Sequence, residues 1–429
     1  MFTITLRRQN GEEFQLQYDH RANRLLTMEG LDALPFYHEK REWSVARSFS
    51  PDNPVGKTGK VKNLKIQLGL KCNYSCAYCN QAVHVGSEVH TNLDDVHEFM
   101  AGLDSWMETA PQRIELWGGE PLVYWKKLKV LIPALHERFP QAQFVMITNG
   151  SLLDDEKFAF IERYDMAIAM SHDGPGQHLR GPDPFEQPET VRIVRRFIEE
   201  RPHRFSINSV ITKANTDINA IVDWFRERVH PDAPVNFEGV VNHYDEAGVG
   251  FTERFTERDY EKLVSSLKEN LKDAEKRSQG LEARVYDFIE SIMEARPHTS
   301  LGQKCGMDSE DRLAVDLKGN VMTCQNTGAT SEHGIGSVFD MDNVKLTTSW
   351  HWMERPDCEG CPYLQLCAGG CMFLEDKNWV DTCNNEYHYA KGIFEGALRM
   401  LTGADVVAFE GHHTRPKAPS DNLIPVMAV

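Results

Sequence analysis

From about residue 61 the chain alternates between short apolar runs and longer stretches in which apolar residues recur every three or four positions. The short runs predict strands at 65–69, 113–117, 143–148, 167–171, 205–211 and 235–241. Helical spacing is clearest over 92–107, where Val96, Phe99, Met100, Leu103 and Met107 share a face, and a second helix is predicted over 190–200. Strands that alternate with helices imply a parallel sheet, so 61–250 reads as one α/β unit. Residues 1–60 follow another rule. Positions 2–6 and 14–18 alternate with period two about the turn at Asn10-Gly11, which predicts a β-hairpin extension that packs on the rest. Residues 251–300, rich in Glu, Lys and Arg, predict one or two bridging helices ended by Pro297. Residues 301–429 form a further unit of turns and clustered cysteines. It carries a predicted helix over 385–401, a stop signal at Gly403, and a proline-containing tail from 411 that is expected to be loosely ordered.

Charge narrows the function. The 429 residues carry 64 Asp and Glu against 47 Lys and Arg, a net charge of −17, which argues against nucleic-acid binding through a basic surface. No run approaches the ~18 apolar residues of a membrane span, and the first residues lack the apolar core of a secretion signal. A cytoplasmic location and no membrane partner are therefore expected. Cysteine placement is the least even feature. Of ten cysteines, three lie at 72–79, none at 80–304 and seven at 305–383. In a large chain without a secretion signal, that distribution points to metal ligation rather than disulfides.

Cys72, Cys76 and Cys79 form a CxxxCxxC loop directly after the first predicted strand. Thiolates are soft ligands that suit iron–sulfur clusters. A [4Fe–4S] cube has four irons, and one such loop holds three of them, leaving the fourth to bind something else. Zinc is the alternative, with a ligand missing from this loop. The spacing, with Tyr78 just before the last cysteine, resembles the radical S-adenosylmethionine (radical SAM) enzymes. That resemblance implies a partial (β/α)6 barrel of the TIM type. It also implies a site at the C-terminal ends of the strands and S-adenosylmethionine chelated by the free iron. In such enzymes a 5′-deoxyadenosyl radical abstracts hydrogen from the substrate. Gly118-Gly119-Glu120-Pro121, after the second strand, is similar to the family motif that binds the cofactor's amino group. By the same resemblance Ser171 and Asp173 contact the ribose, Asn149 supports them, Tyr78 lies near the adenine and Arg180 pairs with the cofactor carboxylate. Ser206, Asn208 and Val210 share one face of the fifth strand, and Asn236 and Glu238 one face of the sixth. Polar groups facing a barrel interior need a partner or a ligand, so Asn208 is assigned to the cofactor. Glu238 and His172 are the candidates for a catalytic residue. The competing reading makes these residues ordinary turn formers or places them toward the helices.

The second cysteine group is more specific. Cys305 is followed after thirteen residues by Gly319 and after four more by Cys324, then by Cys358-x2-Cys361-x5-Cys367-x3-Cys371-x11-Cys383. This resembles the SPASM domain of peptide, sulfatase and quinone-precursor maturases. The resemblance implies two auxiliary [4Fe–4S] clusters, making three in all. Cys358, Cys361, Cys367 and Cys383 would hold the outer one, and Cys305, Cys324 and Cys371 the inner one. The fourth iron of the inner cluster is either open or closed by Asp308 or Asp311. Zinc is again the alternative, since CxxC is also a zinc knuckle. Three functions follow. The first is a maturase that installs a carbon–carbon or thioether cross-link in a ribosomally made precursor peptide, with an electron donor such as flavodoxin or ferredoxin. The second is a sulfatase-maturating, formylglycine-forming enzyme. Those enzymes carry an aspartate base where this chain has Gln325. The third is an iron–sulfur scaffold without activity, which the intact motifs disfavour.

Overall fold

The computed structural model describes residues 1–34, 41–242 and 254–416. Six βα units dominate it: β4 (Asn63–Gln67), β5 (Arg113–Trp117), β6 (Gln143–Thr148), β7 (Ala167–Ser171), β8 (Phe205–Ile211) and β9 (Val235–Val240). They are preceded by β1 (Phe2–Arg7), β2 (Glu13–Asp19) and β3 (Arg24–Leu26). Between the six strands run α1 (Leu93–Gly102), α2 (Trp125–Arg138), α3 (Asp155–Arg163), α4 (Pro188–Glu200) and α5 (Ile218–Arg228). Each strand from β4 to β9 pairs in parallel with the next. This is the α/β architecture of a partial TIM-type barrel. Apolar residues at alternate strand positions, such as Leu64, Ile66, Ile114, Leu116, Ile168 and Met170, are buried, against helices whose apolar stripes recur with helical spacing.

Local chemistry sets the helix ends. Asn92 caps α1 by accepting from the amides of Asp94 and Asp95, while Asp95 reaches back to the Asn92 amide, a reciprocal capping box. The helix predicted to reach residue 107 stops earlier, because the chain tightens into a 3-10 turn at Leu103–Ser105. The bridging region forms two helices, α6 (Glu257–Lys272) and α7 (Gln279–Met293).

The C-terminal region departs most from expectation. It contains β10 (Arg312–Asp316), β11 (Asn320–Met322), β12 (Gly334–Ser337), α8 (Leu364–Cys367), α9 (Asp376–Thr402) and β13 (Asp405–Glu410). β10 pairs in parallel with β4, from Arg312 opposite Asn63 to Asp316 opposite Gln67, and β11 and β12 follow. One nine-stranded sheet thus runs β12-β11-β10-β4-β5-β6-β7-β8-β9, and the boundary drawn near residue 300 does not interrupt it. Gly319 makes the tight β10–β11 turn at φ +79°, where a Cβ would lie 2.7 Å from Val338. α9 begins at Asp376, so Cys383 lies inside the helix rather than before it. Gly403 ends it in the left-handed conformation. β13 then pairs antiparallel with β1, giving a second sheet of order β13-β1-β2-β3. The N-terminal hairpin is therefore built together with the chain's far end. Of the tail, 411–416 packs back, with His413 stacked on Tyr387, and the remainder lies outside the described residues.

Candidate active site

The loops at the C-terminal ends of the barrel strands surround a cavity of about 1190 Å³. Cys72, Cys76, Cys79, Cys305, Cys324 and Cys371 all line it; Cys76 senses Cys79 and Cys72, and Cys324 senses Cys305. The cysteine loop after β4 is clamped by the loop after β5. The Gly119 and Glu120 amides donate to the carbonyls of Gly69 and Lys71, each at 3.0 Å. The Tyr124 hydroxyl accepts from the Lys71 amide at 2.8 Å. A Cβ at Gly119 would lie 2.4 Å from the Leu70 and Lys71 carbonyl oxygens, and one at Gly118 2.8 Å from that of Gly69. The two glycines are thus demanded by the approach of one protein loop to another, and a ligand is not needed to explain them.

Glu120 is buried. Its Oε1 accepts from the Leu122 amide at 2.9 Å and from Thr148 Oγ1 at 2.6 Å, and its Oε2 from the Asn149 amide at 2.7 Å. Burial raises its pKa against those hydrogen bonds. Asn149 in turn donates from Nδ2 to Asn73 Oδ1 at 2.9 Å. Both residues line the cavity while locking the ends of β5 and β6 to the cysteine loop.

Asp173 is placed differently from its assignment to the ribose. It is fully buried and does not line the cavity. Its carboxylate accepts from the Tyr78 hydroxyl, from the Val210 amide at 3.1 Å and from Arg180 Nη1 at 3.4 Å. Arg180 also donates to the Tyr78 hydroxyl at 3.1 Å. Asp173 therefore braces Tyr78 and Arg180, which do face the cavity. Arg180 Nε is buried with no hydrogen-bond partner, as a side chain that receives an acceptor from a ligand would be.

The strand period separates the two neighbours at the end of β7. Ser171 lines the cavity. His172 faces the other way, 0% exposed among Phe185, Trp224 and Phe225, with Nε2 3.0 Å from Asp183 Oδ1. Burial lowers its pKa despite Asp183. It is a packing residue, and its candidacy as a base falls away. Glu238 does line the cavity beside Asn208, Val210 and Ser171, and Asn208 Nδ2 donates to it at 2.9 Å. Ser206 and Asn236 lie outside the lining.

The remaining cysteines form a separate group away from the cavity. Burial raises the Cys358, Cys361, Cys367 and Cys383 thiols, and mutual proximity adds to it: Cys358 senses Cys367 and Cys361, and Cys383 senses Cys361 and Cys358. Burial also pushes Cys76 and Cys324 up to about 11. Thiolates at such positions call for bound cations, as iron–sulfur ligation supplies. Gln325, also buried, lines the cavity, and its Oε1 accepts from the Cys324 thiol at 3.4 Å. Asp308 accepts from the Gln303 amide at 3.0 Å, and Asp311 pairs with Lys62 at 2.7 Å. Neither lines the cavity. Three charged lining residues lie outside the sequence motifs and candidate strand faces: Arg284 of α7, Lys304, and Glu386 of α9, the last two ion-paired at 2.6 Å.

Residues 66–224 match the family model of the Radical SAM superfamily. That stretch is a radical SAM domain. Radical SAM proteins bind S-adenosylmethionine and a [4Fe–4S] cluster, and this chain is a radical SAM enzyme. It is 24% identical over 343 residues to the radical SAM cyclopropyl synthase TigE of Paramaledivibacter caminithermalis, covering 75% of this chain and 70% of that one. To the cysteine-type anaerobic sulfatase-maturating enzyme of Clostridium perfringens it is 22% identical over 373 residues, covering 77% and 94%. Among solved structures, native anSMEcpe with bound AdoMet and the Cp18Cys peptide superposes with a TM-score of 0.56 at 19% identity, over 80% of this chain and 98% of that one. The radical SAM match and this superposition agree on the barrel. Among the described residues no helix is long and apolar enough to cross a membrane.

Proposed function

We propose that the chain is a maturase of a ribosomally made peptide that joins side chains by an oxidative carbon–carbon or thioether cross-link. The observation that carries this reading is the shared cavity: Cys72, Cys76 and Cys79 face the same space as Cys305, Cys324 and Cys371. Cys72, Cys76 and Cys79 would hold the cofactor cluster, which with S-adenosylmethionine supplies a hydrogen-abstracting 5′-deoxyadenosyl radical. Cys305, Cys324 and Cys371 would hold an inner auxiliary cluster, and Cys358, Cys361, Cys367 and Cys383 an outer one, making three [4Fe–4S] clusters. The residues present fit these groups. Cys72, Cys76 and Cys79 sense one another, as do Cys305 and Cys324, and Cys358, Cys361, Cys367 and Cys383, and Arg180 offers an unpartnered buried Nε–H beside Tyr78 for an acceptor on the cofactor. Asp308 and Asp311 do not line the cavity, although Asp308 lies near enough to help raise the Cys305 thiol; the inner site is left with an open iron or one closed by Asp308.

The chain's own residues position the substrate. Glu238, held by Asn208, is the carboxylate placed to accept a proton from it. Arg284, Lys304 and Glu386, near Glu238, give the cavity charge for a peptide's polar side chains. A volume of about 1190 Å³ exceeds the ordinary range of small-molecule pockets and suits a peptide segment together with a cofactor. The peptide bound in anSMEcpe supports the same substrate class. A reduced flavodoxin or ferredoxin would supply electrons, in a cytoplasm that keeps thiols reduced.

Sulfatase maturation is the second reading, favoured by the similarity to the Clostridium perfringens enzyme along 94% of its length. Gln325 weighs against it, because an amide side chain does not take up a proton at neutral pH. The test is co-expression with each short reading frame beside the gene, followed by mass spectrometry of the peptides. Loss of two hydrogens per modification, in a peptide that does not react with a hydrazine reagent and whose fragments stay joined between two side chains, supports the cross-link. Conversion of a Cys or Ser to an aldehyde, or no mass change in any peptide, overturns it.

A further inference from the structure

Arg355 carries a charge that no carboxylate among the described residues neutralises at contact distance. It is 8% exposed, and among the described residues no carboxylate forms an ion pair with it. Its Nη2 donates to the carbonyls of Met372 at 3.2 Å and Leu374 at 2.7 Å, and its guanidinium lies 3.7 Å over the Trp379 ring. Its Nε is buried with no hydrogen-bond partner. An arginine stays protonated even when buried, and a buried charge without a counter-ion is costly.

Its position suggests where the counter-charge belongs. The Arg355 carbonyl accepts from the Cys358 amide at 3.0 Å, at one end of the outer group. Met372, whose carbonyl it binds, directly follows Cys371 of the cavity-lining group. The acidic groups within electrostatic reach are Cys358 first, then Cys371, Glu375 and Cys383. Glu375 is engaged by the Trp350 indole N–H. Arg355 therefore stands between the two C-terminal cysteine groups. A cluster held by thiolates is anionic, and its potential rises with nearby positive charge and with hydrogen bonds to its sulfurs.

We propose that Arg355 is the shared counter-ion of the two auxiliary clusters. Its guanidinium raises the reduction potential of both, and its free Nε–H donates to a sulfur of one of them. The proposal rests on reading these seven cysteines as cluster ligands. Arg355 is a positioning and tuning residue that touches no substrate. Arg415 provides the internal comparison. It lies over the Tyr387 ring at 4.5 Å, donates to Asn384 at 3.2 Å, and is sensed by Cys361 and Cys383 of the outer group.

The test is potentiometric titration, followed by electron paramagnetic resonance, of the anaerobically reconstituted full chain. A Cys72→Ala/Cys76→Ala/Cys79→Ala background leaves only the auxiliary signals. In that background Arg355→Gln should make reduction of both clusters at least about tenfold less favourable, 59 mV for a one-electron couple. Arg415→Gln should move the outer cluster alone, and Arg355→Lys, which keeps the charge and loses the planar donor, should move both by less than Arg355→Gln. If the background protein holds no auxiliary iron, the cluster reading itself fails. If iron is full and both potentials stay put in Arg355→Gln, the counter-ion assignment fails while the cluster reading stands. Should Arg355→Gln not take up iron, Arg355→Lys decides: normal loading supports the need for charge, and failure to load overturns it.

Discussion

Lys65 of β4 and Glu115 of β5 form an ion pair across adjacent strands, 3.0 Å between Nζ and Oε2, with side chains 10% and 8% exposed. Arg113 Nε, the Trp117 indole and Asn63 Nδ2 complete the carboxylate's partners. Burial alone would raise the Glu115 pKa, but Lys65 and Arg113 together with the hydrogen bonds outweigh it and hold it down at about 2. The folded value is below the unfolded one, so the contribution to stability is complete above about pH 4.5 and is lost as pH falls toward 2. Against the ordinary glutamate value of 4.5 the depression corresponds to about 3 kcal/mol. Glu115→Gln should therefore destabilise the protein by roughly that amount at pH 7, because it also strands Lys65. Denaturant titrations at several pH values should show the gap between wild type and variant closing below pH 4.5. A gap that is constant with pH would contradict the assignment.

Replacing Cys72, Cys76 and Cys79 together by alanine should remove about a third of the bound iron and all reductive cleavage of S-adenosylmethionine, since thiolates hold the cluster. Iron analysis and quantification of 5′-deoxyadenosine check the two halves independently. Cleavage that survives in this variant would place the cofactor site elsewhere.

Glu238→Gln should leave cofactor cleavage within about twofold and lower peptide product by about 100-fold, the lower end of the range for a lost general base. Single-turnover assays that measure 5′-deoxyadenosine and product side by side make the distinction. Equal loss of both would make Glu238 a cofactor ligand instead.

Wild-type enzyme given a sulfatase-type peptide with Cys or Ser at the modification position should yield no aldehyde, because Gln325 occupies the cavity position where a proton acceptor is required. Trapping with a hydrazine reagent measures the outcome, and robust formylglycine formation would reverse the choice between the two peptide chemistries.

Much of this architecture was legible in the sequence. The predicted strands at 113–117, 143–148, 167–171 and 205–211 coincide with β5 to β8, because buried parallel strands are short, apolar and bounded by turn residues. Placement within the site was harder to read. Ser171 and His172 are adjacent, and only the strand's two-residue period puts one in the cavity and the other among aromatic rings. Asp173 carries a plausible ligand-binding carboxylate, but Tyr78, far upstream, takes it up once the loops meet. The β13–β1 and β10–β4 pairings join segments far apart in the chain, and no local pattern announces them. Arg284 and Glu386 lie on helices and Lys304 in a turn, and no motif or periodicity marks them as cavity residues.

The β4–β10 ladder has a consequence for electron movement. The loop bearing Cys72, Cys76 and Cys79 leaves β4, Cys305 precedes β10, and Cys324 follows β11, so continuous backbone pairing links the roots of the two cysteine groups. Tunnelling between redox centres decays exponentially with separation. If both groups hold clusters, a gap spanned by a hydrogen-bonded ladder rather than a hinge would give their exchange a rate set by the scaffold, the same whichever peptide occupies the space between them.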